Sequence, residues 1–92
     1  MAKLTIFHLE NCPYCKKAEK ALAALTAGGA YNGVEIEWIE ERKNPAIAEQ
    51  YDYYYVPTVF LGKEKLYECS PADDETVIAA RLKDALERAA KG

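Results

Sequence analysis

Ninety-two residues, half of them hydrophobic and 29% charged, suffice for one small core but not for two, so a single domain over 1–92 is expected. No stretch approaches the ~18 consecutive apolar residues of a membrane span, and the apolar run before Glu10 is too short for a secretory signal. A net charge of −3 without a basic tract disfavours a nucleic-acid partner held through phosphates. A cytoplasmic protein with no membrane partner is expected, acting as a monomer.

Lys3 to His8 has the β-branched and aromatic content of a strand, with Leu4, Ile6 and Phe7 apolar. From Pro13 the period changes. Cys15, Ala18, Leu22 and Leu25 recur at three- and four-residue steps while Lys16, Lys17, Glu19 and Lys20 fall off that stripe, which predicts an amphipathic helix. Ala27-Gly28-Gly29-Ala30 and then Asn32-Gly33 end it. Val34 to Trp38 alternates as a second strand, and Asn44-Pro45 opens a short helix through about Tyr51.

Val56 to Leu61 is nearly all apolar and suits a strand covered on both sides. Gly62-Lys63-Glu64 turns the chain into a last strand, Lys65 to Glu68. The last helix is expected to open at Ser70-Pro71, with Ser70 as cap and Asp73, Asp74 and Glu75 at the positive end of its dipole. Ile78, Leu82, Ala85 and Ala89 form its buried stripe, with Leu86 beside it. The order β-α-β-α-β-β-α predicts an α/β fold in which the first two strands are parallel and the last two antiparallel. The product is a mixed four-stranded sheet with helices on both faces.

Three cysteines are too few for a stapled secreted module. A structural zinc site would consume Cys12, Cys15, Cys69 and the single imidazole, His8, so no metal is expected. Two idle thiols that happen to be close is the bland alternative. The spacing Cys12-Pro13-Tyr14-Cys15 is better suited to redox exchange, which requires a thiolate. Pro13 suits the first helical turn, placing Cys12 at the N-cap, where unpaired N–H groups and the helix dipole favour a sulfur anion. Cys15 falls on the buried stripe. Cys12 is therefore the expected nucleophile and Cys15 the resolving thiol. Lys16 and Lys17 read as a solvated face, His8 as a partly buried structural side chain and Cys69 as a spare thiol.

The dithiol at the head of a helix, followed by Val56-Pro57-Thr58 before a hairpin, resembles the thioredoxin superfamily. Cys12-Pro13-Tyr14-Cys15 is similar to a glutaredoxin active site, and the resemblance runs from Lys3 into the final helix. It implies a thioredoxin-like fold, a cis Pro57 beside the dithiol, and a Val56 backbone that pairs with substrate. It also implies a thiol–disulfide oxidoreductase acting on disulfide-containing proteins or glutathione mixed disulfides. No tightly bound cofactor is implied; glutathione is a candidate co-substrate and a flavoprotein reductase an alternative electron source.

Two departures bear on glutathione. Leu9 stands where glutaredoxins carry a basic residue, and Tyr67-Glu68 replaces their glycine pair, so Glu68 is expected to repel a glutathione carboxylate unless it points away. Asp73 is a candidate for the ligand's amino group, with helix capping as the plain alternative. Tyr14 offers contact area inside the dithiol, and Tyr51, Tyr53, Tyr54 and Tyr55 are expected to divide between packing and exposure. An iron–sulfur or metal-binding glutaredoxin-like protein and a redox-inactive binding domain are the competing functions.

Overall fold

The first strand, β1 (Lys3–His8), sends Leu4 and Ile6 to one face of the sheet and Thr5 and Phe7 to the other, all four buried. A computed structural model of the protein, describing residues 2–91, follows it with α1 (Pro13–Thr26), β2 (Glu35–Glu40), α2 (Pro45–Ala48), β3 (Thr58–Leu61), β4 (Glu64–Glu68) and α3 (Glu75–Lys91). The sheet order is β2-β1-β3-β4. β1 runs parallel to β2, from Lys3 opposite Glu35 to His8 opposite Glu40. The β1–β3 and β3–β4 pairs are antiparallel, as a tight turn between the last two strands requires.

One face is covered by α1 and α3. Ala18 and Leu22 of α1 meet Ile78, Leu82 and Ala85 of α3 over Leu4, Ile6 and Val59. The other face carries Phe7, Ile39 and Phe60. The helix α2 is a single turn here, so Ala48 is joined by Tyr51, Tyr53 and Val56 in roofing that cluster. The expected mixed sheet with helices on both faces is therefore present, but aromatic rings do much of the covering on the second face.

Several boundaries differ from expectation. β2 extends two residues past Trp38 because the ladder with β1 continues to His8, and this buries Ile39. α2 stops at Ala48, well short of Tyr51. β3 starts at Thr58, since Pro57 has no N–H for the ladder; the Val56–Pro57 peptide is cis. α3 starts at Glu75 rather than Pro71. Asp73 accepts the Ser70 N–H through Oδ2 at 3.0 Å while its own N–H donates to the Ser70 carbonyl at 2.9 Å, which closes residues 70–73 into a turn. The helix is capped one residue later, where Asp74 Oδ1 accepts the Val77 N–H at 2.9 Å. α1 ends through a 3₁₀ turn, Ala27–Gly29, in which Gly28 adopts φ 74°, a backbone region that favours glycine.

Candidate active site

β1 ends at His8 and α1 begins at Pro13, so a short loop delivers Cys12 to the helix. Asn11 takes φ 61° just before it, a left-handed conformation that Asn tolerates better than most residues. Cys12 is the N-cap, with extended φ −91° and ψ 115°. Its Sγ accepts the Cys15 backbone N–H at 3.2 Å, and its carbonyl accepts the Lys16 N–H at 3.0 Å. A capping Ser or Asp oxygen makes the same contact elsewhere; here the acceptor is sulfur, at the positive end of the helix dipole. The first turn holds no acidic side chain to offset that field.

Exposure separates the two thiols. Cys12 is partly exposed, whereas Cys15 is 2% exposed. Burial pushes the Cys15 thiol well above its ordinary range, the contact with the Cys12 sulfur pushes it further, and the Leu9 N–H opposes both. Beside them a groove of about 290 Å³ is lined by His8, Leu9, Asn11, Cys15 and Lys16. The His8 imidazole and the Trp38 ring are perpendicular, with centroids 5.4 Å apart.

The loop carrying Cys12 is tied to the end of the neighbouring edge strand β2 by Glu40, a residue with no signal in the sequence. Glu40 Oε2 accepts the Glu10 N–H at 3.0 Å, and Oε1 accepts the Arg42 N–H at 2.6 Å. Lys43 Nζ reaches back to Glu10 Oε1 at 2.5 Å. The Glu10 N–H chiefly holds the Glu40 carboxyl below the usual range; partial burial opposes the shift, and the Arg42 and Lys43 N–H groups reinforce it.

Pairing of Phe7 with Thr58 brings Val56 and Pro57 to the end of the sheet from which the Cys12 loop departs. Pro57 is buried, and its carbonyl accepts the Cys69 N–H at 3.0 Å. Cys69 is itself 2% exposed, and burial raises its thiol. Glu68, which the sequence marks only as a charge in place of a glycine, turns toward the preceding loop. Its Oε2 accepts the Tyr54 and Tyr55 N–H groups at 2.6 and 2.7 Å, and Oε1 pairs with Lys65 at 2.8 Å. Neither glutamate announces this bracing role by periodicity, because the Glu10 amide on Glu40 and the Tyr54 and Tyr55 amides on Glu68 are distant in sequence.

The four tyrosines divide as expected. Tyr51 and Tyr53 lie on Phe7, with centroids 4.8 and 4.9 Å away, and the Tyr53 hydroxyl donates to Glu41 at 2.8 Å. Tyr54 and Tyr55 are 90% and 54% exposed. Tyr14 packs on the main core while its hydroxyl donates to the Pro71 carbonyl at 2.9 Å, and Lys17 Nζ sits 5.4 Å from the ring centroid. Asp73 Oδ2 is occupied by the Tyr67 hydroxyl at 2.6 Å as well as by the Ser70 N–H. Among the described residues no group of three or more His, Cys, Asp or Glu side chains is placed to hold a metal ion, and no helix is long and apolar enough to cross a membrane.

A four-stranded sheet with a dithiol capping its first helix and a cis-proline at the adjacent strand end defines a thioredoxin-superfamily protein. Residues 3–83 match the family described as "Glutaredoxin-like domain (DUF836)", and the chain belongs to that family. Relatives include a thioredoxin of Methanocaldococcus jannaschii, 29% identical over 86% of this chain and 92% of that one, and glutaredoxin-1 of Oryctolagus cuniculus, 28% identical over 89% and 83%. Among solved structures, a mutant thioredoxin from Halobacterium salinarum NRC-1 superimposes with a TM-score of 0.65 at 25% identity, covering 97% of this chain and 74% of that one. Thioredoxin 1 from Thermosipho africanus TCF52B gives 0.61 at 23% identity, covering 94% and 96%, and shows likeness of fold. The family and these relatives support a thiol redox function.

Proposed function

We propose that the protein is a thiol–disulfide oxidoreductase with Cys12 as nucleophile and Cys15 as resolving thiol, reducing disulfides of protein substrates or glutathione mixed disulfides. The observation that carries this reading is the Cys15 N–H pointing at Cys12 Sγ at the head of α1. A thiolate at Cys12 is partly exposed and meets the Cys15 N–H and the helix dipole, while a thiolate at Cys15 would be buried, and that burial outweighs the Leu9 N–H that favours it.

The Cys12 thiolate attacks one sulfur of a substrate disulfide, forming a Cys12–substrate bond and expelling the other substrate sulfur as a thiolate, which takes a proton. Cys15 then gives up its proton and attacks Cys12 Sγ, releasing the remaining substrate thiolate and leaving a Cys12–Cys15 disulfide. Two electrons pass from the dithiol to the substrate. Burial keeps Cys15 protonated and unreactive until that second step. Once Cys12 is held in the mixed disulfide it carries no charge, and one of the causes that suppress Cys15 ionisation is gone.

Val56 supplies backbone groups for pairing with an extended substrate, next to the buried Pro57. Tyr14 contributes ring surface, and Asp73 offers a substrate amino group its Oδ1, since Oδ2 is taken by the Tyr67 hydroxyl and the Ser70 N–H. Glutathione, as co-substrate, or a flavoprotein reductase returns electrons to the oxidised dithiol, and the setting is the cytoplasm.

Reduction of insulin disulfides by the wild type, Cys12→Ser and Cys15→Ser tests the assignment. Cys12→Ser is expected to be inert, and Cys15→Ser to accumulate a mixed disulfide visible by mass spectrometry. Full activity in Cys12→Ser would overturn the proposal. Supplying electrons in turn from glutathione and from a thioredoxin reductase identifies the donor.

A further inference from the structure

The segment from Asp52 to Val56 has no regular structure, yet it is held at three points. At its start the Tyr53 ring stacks on Phe7 with centroids 4.9 Å apart, and its hydroxyl bonds Glu41. In the middle the Glu68 carboxylate accepts the Tyr54 and Tyr55 N–H groups at 2.6 and 2.7 Å. At its end the Thr58 hydroxyl donates to the Tyr55 carbonyl. Lys65 completes the stitch, pairing with Glu68 at 2.8 Å and donating to the Asp52 carbonyl at 3.1 Å.

Two consecutive backbone donors converging on one carboxylate oxygen form strong, charge-assisted bonds, and they set the direction of the chain just before the cis-proline. Tyr54 stays 90% exposed and Tyr55 54% exposed, although two other tyrosines of the same run are packed on the sheet. Rigid aromatic rings held out beside an extended backbone provide contact area at low entropic cost. A polypeptide lying along residues 54–56 would cover both rings, whereas a small disulfide carries no chain to lie there.

We propose that Glu68 is a positioning residue of the site: through the Tyr54 and Tyr55 amides its carboxylate holds the segment that presents two tyrosine rings and Val56 to an extended polypeptide bearing the disulfide. The proposal rests on the oxidoreductase reading above and adds to it the class of substrate. Glu68 acts on recognition, so it affects polypeptide disulfides and leaves the chemistry at Cys12 intact. Its charge is paired with Lys65 and solvated by the two amides.

The test compares wild type, Glu68→Ala, Glu68→Gln and the double variant Tyr54→Ala/Tyr55→Ala on two substrates, insulin and hydroxyethyl disulfide. Loss of a hydrogen-bond pair to a charged group predicts a KM for insulin about tenfold higher in Glu68→Ala, with kcat within about twofold. Hydroxyethyl disulfide kinetics are expected to be unchanged. Glu68→Gln retains one acceptor oxygen and falls between. The tyrosine variant, which leaves the carboxylate in place and removes only exposed rings, raises the insulin KM alone. Amide hydrogen exchange at Tyr54 and Tyr55 is expected to accelerate in Glu68→Ala. Unchanged exchange there, or an insulin KM that stays put in Glu68→Ala and in the tyrosine variant, would overturn the proposal. Equal losses on both substrates would overturn it too, by showing a general structural role. A wild type inert toward both disulfides would instead overturn the redox reading, while the exchange measurement still reports on Glu68 itself.

Discussion

The Tyr14 hydroxyl donates to the Pro71 carbonyl at 2.9 Å, joining the spacer of the dithiol to the turn before α3 across 57 residues of sequence. The side chain that invites assignment as a substrate contact is thus engaged by the protein's own backbone at its polar end. Only the ring remains for a substrate, and Lys17 lies over it. Tyr14→Phe should therefore leave the KM for insulin and for hydroxyethyl disulfide within about twofold of wild type, because no substrate hydrogen bond is lost. The cost should appear in stability, about 0.5–1 kcal/mol for one exposed neutral bond, or a fall in Tm of about 2–8 °C. A several-fold rise in KM at unchanged Tm would place the hydroxyl on the substrate instead.

The two buried thiols should be silent in the native state. Cys15 and Cys69 are each 2% exposed, and burial raises both, so iodoacetamide at neutral pH should label Cys12 alone, with all three labelled after denaturation. In Cys12→Ser, Cys15 should still resist, since burial is the leading cause of its shift. The sign of the linkage follows. A thiol whose folded pKa is raised stabilises the fold fully below its unfolded value, near pH ~8.5, and loses that contribution as pH climbs toward the folded value. Urea unfolding of the reduced protein from pH 7 to 10 should show stability falling with pH, more steeply than in Cys15→Ser. Equal slopes, or rapid native labelling of Cys15, would contradict the burial argument.

Much of this site is local and therefore legible in the chain itself. Cys12-Pro13 reads as cap and first helical residue because the capping geometry needs only the next three residues, and the stripe from Cys15 to Leu22 identifies the buried face without reference to any partner. The opening of α3 is different. Ser70-Pro71 has the residues of a helix start, but Asp73 is claimed by Tyr67, whose position depends on β4 pairing with β3, and the turn that results delays the helix to Glu75. The bracing roles of Glu40 and Glu68 are illegible for the same reason. The Glu10 amide that Glu40 binds and the Tyr54 and Tyr55 amides that Glu68 binds come within reach only once the sheet has formed, so no spacing in the sequence marks them.

Glu40 should make the Cys12 loop sensitive to acid. Its carboxyl is held below the usual range, first by the Glu10 N–H, so its contribution is present above the unfolded value of about 4.3 and disappears as pH falls through the lower folded value. Protonation would release the Glu10, Arg42 and Lys43 amides together. Amide exchange or chemical shifts at Glu10 and Asn11 should therefore change below about pH 4.3 in wild type. In Glu40→Gln they should already be altered at neutral pH and show a flatter profile. A wild-type profile that the substitution leaves unaltered would remove Glu40 from control of the loop.

Phe7 links the strand that leads to the dithiol with the rings that support the recognition segment. It is fully buried, 4.8 Å from Tyr51, 4.9 Å from Tyr53 and 5.8 Å from Phe60 between centroids, on the face where α2 is too short to give cover. Truncating a buried Phe costs about 3–5 kcal/mol against a total of about 5–15 kcal/mol for a domain, so Phe7→Ala should unfold in far less urea or fail to fold. Phe7→Leu keeps apolar volume and gives up the ring geometry, a smaller loss of about 0.5–1.5 kcal/mol per aromatic pair. Because Tyr53 leans on Phe7 and the exposed Tyr54 and Tyr55 follow it in the chain, Phe7→Leu should also raise the KM for insulin more than that for hydroxyethyl disulfide. Urea midpoints together with the two KM values check both halves of the argument. A destabilised Phe7→Leu whose two KM values rise in step would mean that the aromatic cluster stabilises the fold without aiming the recognition segment.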